Sequence, residues 1–338
     1  MSARLRILSA GPGVTLQDEG RRGFLRYGVT PAGPMDADSF LAATRAAGAS
    51  AAIEVSLGGV EIAAEEGEIG LAVCGGNFDV RLDGRPLPGA CALTLAPGAR
   101  LALRAGPSGA WAYVAPLGRF DLPMILGSLA THTRSGLGGL EGRALAAGDA
   151  LGVLEPRVGP GEPMALHAPW LGAASQEFRI LFGPQQNHFA NETLAKFLAS
   201  PWRLSARSDR MAYRLEGPKL AHRSGHDIVS DGLAMGAIQI PGDGAPLVLM
   251  ADRQPTGGYP KIAHVIGADL AALAQMRPGE ELRFAAVSLE EAVAARRARA
   301  RALAEGLRLE PITPELTSEL LLERNLVGGV VGDFNLPE

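Results

Sequence analysis

The chain has 338 residues, 47% hydrophobic and 20% charged, with a net charge of −4; that is enough apolar material for one large core or two medium ones, and it excludes a disordered chain. No basic stripe exists beyond one arginine-rich helix near the C-terminus, so a nucleic-acid footprint is missing, and no run of 18 uncharged apolar residues offers a membrane span. Forty-four glycines and 24 prolines without a period favour many short strands joined by tight turns, so a mainly β or β-rich α+β fold is expected.

The N-terminus "MSARLRILSAGPG" lacks the apolar stretch of a signal peptide, which predicts a cytoplasmic protein. Two short strands are predicted at residues 4 to 9 and 13 to 17. In "PMDADSFLAATRAAG", Asp36 is an N-cap and Gly48 ends a helix of about three turns. Strands follow at 51 to 57, 59 to 64 and 69 to 74, and "FDVRLDGRPL" is a hairpin turning at Asp83-Gly84, the pair a type I′ turn requires. More strands are predicted at 91 to 95, 99 to 105 and 110 to 115. Cys74 and Cys91 have no CxxC or Cys/His spacing and read as buried free thiols.

The Pro- and Gly-rich segment from 155 to 170 reads as a connection between two halves. Beyond it come a strand at 177 to 182, a helix near 188 to 199, strands near 203 to 206, 211 to 215, 236 to 240, 246 to 250 and 261 to 266, and a short helix at 268 to 276. "RPGEELRFAAV" repeats the pattern of "APGARLALRA", which suggests two similar β-rich halves. Residues 288 to 305 form an amphipathic helix opened by a Ser288/Glu291 capping box, its arginines a solvated face. The apolar last 30 residues suit docking on the body or on a partner. The organisation expected is thus residues 1–160, residues 170–287, and a helix with a docking tail over 288–338.

Four stretches carry candidate chemistry. "TLQDEGRRGFLRYGVTPAGPMD" gathers Gln17, Asp18, Arg21, Arg22 and Asp36 on one loop, either for recognition or as a surface ion-pair cluster. "SGLGGLEGR", flanked by Arg134 and Arg143, offers a backbone nest for an anion or simply sharp corners. "SARSDRMAYRLEG" places Arg210 where its fork suits an acidic substrate, or where Asp209 pairs with it. "ADRQPTGGYPKIAHV" brings Gln254, Tyr259 and Lys261 together, and Lys261 is one of only three lysines among 32 basic residues. A compact ammonium there serves as a base, or holds a carboxylate or oxyanion, or sits solvated on a turn. His222 and His226 flank Ser-Gly, so their spacing does not make a helical metal site, and no GxSxG, HExxH or GxxxxGK[ST] pattern occurs.

Together "GVTLQDEGRRGFLRYGVTPAGPMD", "GRFDLPMILGSLATHTRSGLGGLEGRALAAGD", "SDRMAYRLEGP" and "DRQPTGGYPKIAHVI" resemble the family of the 5-oxoprolinase C subunit, also described as biotin-dependent carboxyltransferases or allophanate hydrolase subunit 2. The stretch is also similar to the carboxyltransferase region of urea carboxylase. The chain departs from the family pattern at Arg22, where proline is usual, and in the histidine between Thr131 and Thr133. The resemblance implies two cyclophilin-like β-barrel domains, a B-type partner with a similar cyclophilin-like domain, a third, A-type partner, and ATP-dependent opening of the 5-oxoproline lactam to glutamate. With no phosphate loop in this chain, ATP is consumed by the complex. The alternatives are carboxyl transfer from biotin carried on another chain, since no lysine here has a Met-Lys-Met setting, and a non-catalytic regulatory role. By matching motif, Lys261, Tyr259 and Asp18 are the catalytic candidates. Gln17, Arg21, Arg210, Gln254 and Arg134 are the substrate-binding candidates, for a small acidic or amide substrate. All are expected to converge on one hollow between the barrels.

Overall fold

The computed structural model describes residues 2–172 and 175–312. The chain is mostly β: a twelve-stranded sheet dominates the first half, a closed seven-stranded barrel the second, and a ribbon pairs Asp231–Gly232 with Thr256–Gly257.

The sheet is built on two long strands, Ile69–Leu82 and Arg100–Pro116, antiparallel from Leu71↔Pro116 to Leu82↔Leu101. The sequence reading divides each in two at its glycines. The structure instead keeps both continuous and places the glycines at bulges, where the register shifts on either side of Asn77. A Cβ on Gly106 would lie 1.8 Å from the Asn77 carbonyl oxygen, so the glycine is there to let backbones approach. The hairpin turn is as expected, with Asp83 and Gly84 at φ +48 and +83. Ser2–Ala10 lies between Val60–Glu66 and Ala150–Leu154. Ala52–Val55 pairs with Thr15–Gln17 and with the second half of the long strand at Ile53↔Val114.

The segment expected as a bare connection contains a strand, Met164–His167, which pairs with Cys91–Leu95 and with Arg308–Pro311. The chain therefore returns to the first sheet after helix Leu289–Ala304, whose Ser288/Glu291 capping box is present as predicted. The apolar tail beyond residue 312 lies outside the described residues. In the barrel the order is Glu177–Phe182, Lys261–Val265, Ala237–Gln239, Leu247–Leu249, Ala212–Glu216, Trp202–Leu204, Glu281–Ala286, closed by parallel pairing of the last with the first. Among the described residues, hydrogen-bonded closure is complete only in this second barrel; the first sheet keeps edges at Arg308–Pro311 and Arg119–Phe120.

Two cores follow. One lies inside the first sheet and contains Leu5, Ile7, Ile53, Leu71, Val73, Leu101 and Val114. The other is shared: Phe40, Trp111, Tyr113 and Trp170 from the first half join Phe178, Phe197, Trp202, Tyr213 and Ile262 of the second. Helix Ala37–Ala47 supplies Phe40 to it. Asp36 caps that helix by accepting from the Asp38 and Ser39 N–H groups, and Gly48 ends it at φ +59.

Candidate functional site

Polar groups from both halves meet where Arg210 precedes strand Ala212–Glu216. Its Nε and Nη2 donate to Asp252 at 2.9 and 2.8 Å, Nη2 also donates to the Gly33 carbonyl at 2.8 Å, and Nη1 donates to Glu54. Glu54 is wholly buried in strand Ala52–Val55. It also accepts from the Met35 N–H and the Tyr113 hydroxyl, both at 2.8 Å, and that hydroxyl accepts from the Asp36 N–H at 2.9 Å. Burial pushes the Glu54 pKa up, while Arg210, the Met35 N–H and Tyr113 pull it back. Burial alone would lower the Arg210 pKa; Glu54 and Asp252 outweigh it and hold the guanidinium above its ordinary value.

Beside this cluster lie Gln17, Asp18 and Arg21. Gln17 is buried, donates to Thr15 Oγ1 at 2.9 Å and the Thr131 carbonyl at 3.1 Å, and accepts from the Gly33 N–H at 3.1 Å. Asp18 accepts from Gly20 N–H at 2.8 Å and from Ser128 Oγ and Leu129 N–H at 2.6 Å. Arg21, 1% exposed, donates Nε to the Ile125 carbonyl at 3.1 Å and Nη2 to that of Ala130. These three side chains brace two loops against each other, which accounts for the polar motif around them. The buried His132 ring faces Asp252, Arg210 and Arg21 with both nitrogens unpaired, and burial lowers its pKa, leaving a neutral imidazole. The Arg21 Nη1 and Thr30 Oγ1 are likewise buried without partners.

Lys261 stands apart from this group. It opens strand Lys261–Val265 with its side chain 2% exposed, and its Nζ donates to Asp231 Oδ2 at 2.5 Å and to the Gly232 carbonyl at 3.4 Å. Its N–H donates to Gln185 Oε1 at 3.3 Å. Tyr259 is 38% exposed, and its carbonyl accepts from buried Gln239 at 3.2 Å. Gln254 is exposed, and Arg134 is an exposed partner of Asp209 at 3.0 Å.

The eight candidates therefore form two groups. One, around Arg210 and Arg21, is tied together at Gly33, whose N–H donates to Gln17 and whose carbonyl accepts from Arg210. The other, around Lys261 and Tyr259, is linked to the first through the 252–261 turn, where Arg253 Nε donates to the Leu233 carbonyl at 3.0 Å. Cavities of 780, 470 and 420 Å³ are lined by none of the eight. Each of the candidate cations has a local acceptor: Ile125 for Arg21, Asp209 for Arg134, Asp252 for Arg210 and Asp231 for Lys261. The largest of these cavities lies between the halves, under helix Leu289–Ala304, and is lined by Asp36, Cys74, Trp170, Gln275 and Arg299 among others. The glycine-rich loop after Arg134 makes corners: Gly136, Gly138, Gly139 and Gly142 all have positive φ, and a Cβ on Gly138 would stand 2.2 Å from the Ala130 carbonyl oxygen. His222 lies on a loop and shares its Nε2 with the Ile240 carbonyl at 2.9 Å.

Glu54 and Tyr113 belong to none of the motifs singled out in the sequence, and His132 stands out there only as a departure from the family pattern. A trace of Glu54 exists in "AAIEVSL", where one acid interrupts an apolar run that is buried from Ala51 to Val55.

The carboxyltransferase domain, subdomains A and B, matches residues 27–286. The chain belongs to that family. Among its family relatives are the 5-oxoprolinase C subunit of Escherichia coli (strain K12), 37% identical over 86% of this chain and 94% of its own length, and that of Haemophilus influenzae, 35% identical over 86% and 94%. The urea amidolyase of Lachancea kluyveri is 32% identical, but the match spans 85% of this chain and 17% of that protein. In three dimensions the chain matches the Kluyveromyces lactis urea carboxylase with a TM-score of 0.80 and 28% identity over 89% of this chain and 29% of the other. For the K. lactis urea amidolyase the TM-score is 0.82, again at 28% identity, over 89% and 20%. This carboxyltransferase-family chain thus spans about a fifth of that structure. It is homologous both to the 5-oxoprolinase C subunit and to the carboxyltransferase region of urea amidolyase.

Proposed function

We propose that this chain is one component of an ATP-dependent 5-oxoprolinase complex that opens the 5-oxoproline lactam to glutamate, working with A-type and B-type partners. The observation that carries this reading is sequence identity: 37% to the E. coli 5-oxoprolinase C subunit across 94% of that protein, against 32% to a urea amidolyase. ATP is handled elsewhere in the complex, in keeping with a sequence that has no phosphate loop. In this reading Lys261 neutralises the substrate carboxylate or the oxyanion that develops on lactam opening, and Tyr259 positions the substrate. Arg210 fixes the Asp252 loop that leads to both. Asp18, Gln17 and Arg21 hold the loops around the site, and Gln254 and Arg134 line its exposed approach.

The test is to co-purify the chain with its genomic neighbours, supply 5-oxoproline and ATP, and measure glutamate. Release of glutamate is expected, with Lys261→Ala in the same complex lowering it by about 10²-fold, the loss typical of removing one oxyanion donor. An intact complex that releases none overturns the reading. A second reading, carboxyl transfer from biotin on another chain, is favoured by the family match and by the urea carboxylase fold similarity. It predicts a biotin-carrier gene beside this one and carboxylation of a urea or amide substrate.

A further inference from the structure

Two of the candidate cations have very different counter-ions. Arg210 is held by Glu54 and Asp252, carboxylates 0% and 8% exposed. An incoming anion would have to strip a buried charge of its partner, which is strongly unfavourable. Lys261 is the reverse case. Its ammonium is buried to 2% exposure, yet its carboxylate partner, Asp231, is 55% exposed. That partner belongs to no barrel strand; it sits at the end of an exposed loop, on a ribbon two residues long, close to Val229 at 92% exposure. A water-accessible carboxylate leaves an ion pair at small cost, because water already solvates it.

From this asymmetry we infer that the Lys261 ammonium is a binding site for a ligand carboxylate, and that Asp231 is the stand-in that fills it in the free chain. The inference rests on the function proposed above and names the substrate group the site takes. The surroundings fit a second carboxylate oxygen. Gln185 lies against both Lys261 and Asp231, and Tyr259 stands half-exposed on the turn just before the lysine. The ribbon also has the means to move at one end only. Leu233 is fixed, its N–H donating to the Pro255 carbonyl at 3.0 Å and its own carbonyl accepting from Arg253. Gly232, next to it, is a natural pivot where a Cβ would touch nothing, and what holds Asp231 besides Lys261 is its pairing with Gly257 in the two-residue ribbon and the Gly232 N–H donating to its Oδ1 at 2.8 Å. Displacement would leave the buried ammonium paired at every stage, because the incoming carboxylate replaces the outgoing one.

The experiment uses the isolated chain with acetate and 5-oxoproline as probes at constant ionic strength, chloride serving as the control anion. Thermal unfolding and calorimetric titration are measured for the wild type, Asp231→Ala and Asp231→Asn. Removing the built-in competitor is expected to tighten the apparent affinity for both carboxylates at least tenfold, with saturable stabilisation that chloride does not reproduce. Adding Lys261→Met to Asp231→Asn is expected to abolish it. Equal affinities in wild type and both Asp231 variants overturn the inference, as does carboxylate binding that survives loss of Lys261, or stabilisation that chloride reproduces. Should the complex release no glutamate while Asp231→Asn still binds acetate more tightly than the wild type, the proposed function fails and the site stands. Glutamate release with unchanged carboxylate affinities removes the site alone.

Discussion

Arg210 joins the two halves of the molecule by charge: Glu54 and the Gly33 carbonyl come from the first, Asp252 from the second. Burial of this group is tolerable only because every donor has an acceptor. Replacing Arg210 by Met leaves Glu54, already pushed toward its protonated form by burial, without the cation that opposes that shift. The expected loss is about 3–5 kcal/mol in urea unfolding, the range for breaking a buried pair from one side; a loss within about 0.5 kcal/mol would show that the cluster is solvated. The two thiols make a contrasting case. Cys91 is 0% exposed and its pKa is pushed up to about 12 by burial, and Cys74 is raised by burial as well. Neither is expected to react with a thiol reagent in the native protein, and both should titrate after unfolding in guanidinium. The inertness of the cysteines was legible in their apolar sequence context. The partner of Arg210 was not, because Asp209 is its neighbour in sequence and Glu54 lies 156 residues away.

The long strands and the C-terminal helix show how local signals succeed and fail. Capping boxes, N-caps and the Asp83-Gly84 turn depend on residues within four positions of one another, and each is where the sequence placed it. Gly75, Gly76, Gly106 and Gly109 read as breaks for the same local reason, yet they pack across two paired strands, a relation no short window contains. Gly138 is of this kind too, with φ +70 and a Cβ position 2.2 Å from both the Ala130 carbonyl oxygen and Arg21 Nη2. Gly138→Ala is expected to cost more than the roughly 1–3 kcal/mol of backbone strain alone, because the Arg21 brace must shift as well; an unchanged unfolding midpoint would contradict this. Helix Leu289–Ala304 buries no residue and is tied down at few points. Arg299 Nε donates to Asp38 at 2.9 Å, and Arg45 Nη1 donates to the Leu303 carbonyl at 2.7 Å. Arg299→Ala should therefore speed amide exchange in residues 289–304 by about tenfold or more, as expected for a charged hydrogen bond contributing about 1–3 kcal/mol, while exchange in the barrel stays as it was.

The two halves share a core and a line of polar contacts, so loosening their junction is expected to destabilise both. Gln275 illustrates the junction: its Nε2 donates to Asp36 Oδ2 at 2.6 Å and the Trp111 carbonyl at 2.9 Å, and its Oε1 accepts from the Ala110 N–H at 2.7 Å. β-rich halves and their order were legible from strand periodicity. The junction was not, since it is made of single residues far apart in the chain. His132 gives this junction a pH dependence. It lies in the first half and faces Asp252 and Arg210 of the second and Arg21 of the first, and burial lowers its folded pKa below the ordinary value of 6.5. Between that folded value and 6.5 the unfolded chain binds more protons than the native one, so the stability His132 contributes is complete above 6.5 and is lost as pH falls. His264, lowered by burial and by Lys261, acts in the same direction. Asp36 and Glu54, raised by burial, oppose it, since their native forms hold protons more tightly than the unfolded chain and gain stability as pH falls toward 3.8 and 4.5. The urea midpoint of the wild type followed from about pH 7.5 to about 5.5 contains both effects. His132→Gln removes the His132 share of the first and leaves that of His264, so the variant should lose less stability over that range than the wild type. If the two profiles run parallel, His132 takes up its proton in the native state as readily as in the unfolded chain, and the junction is open to water.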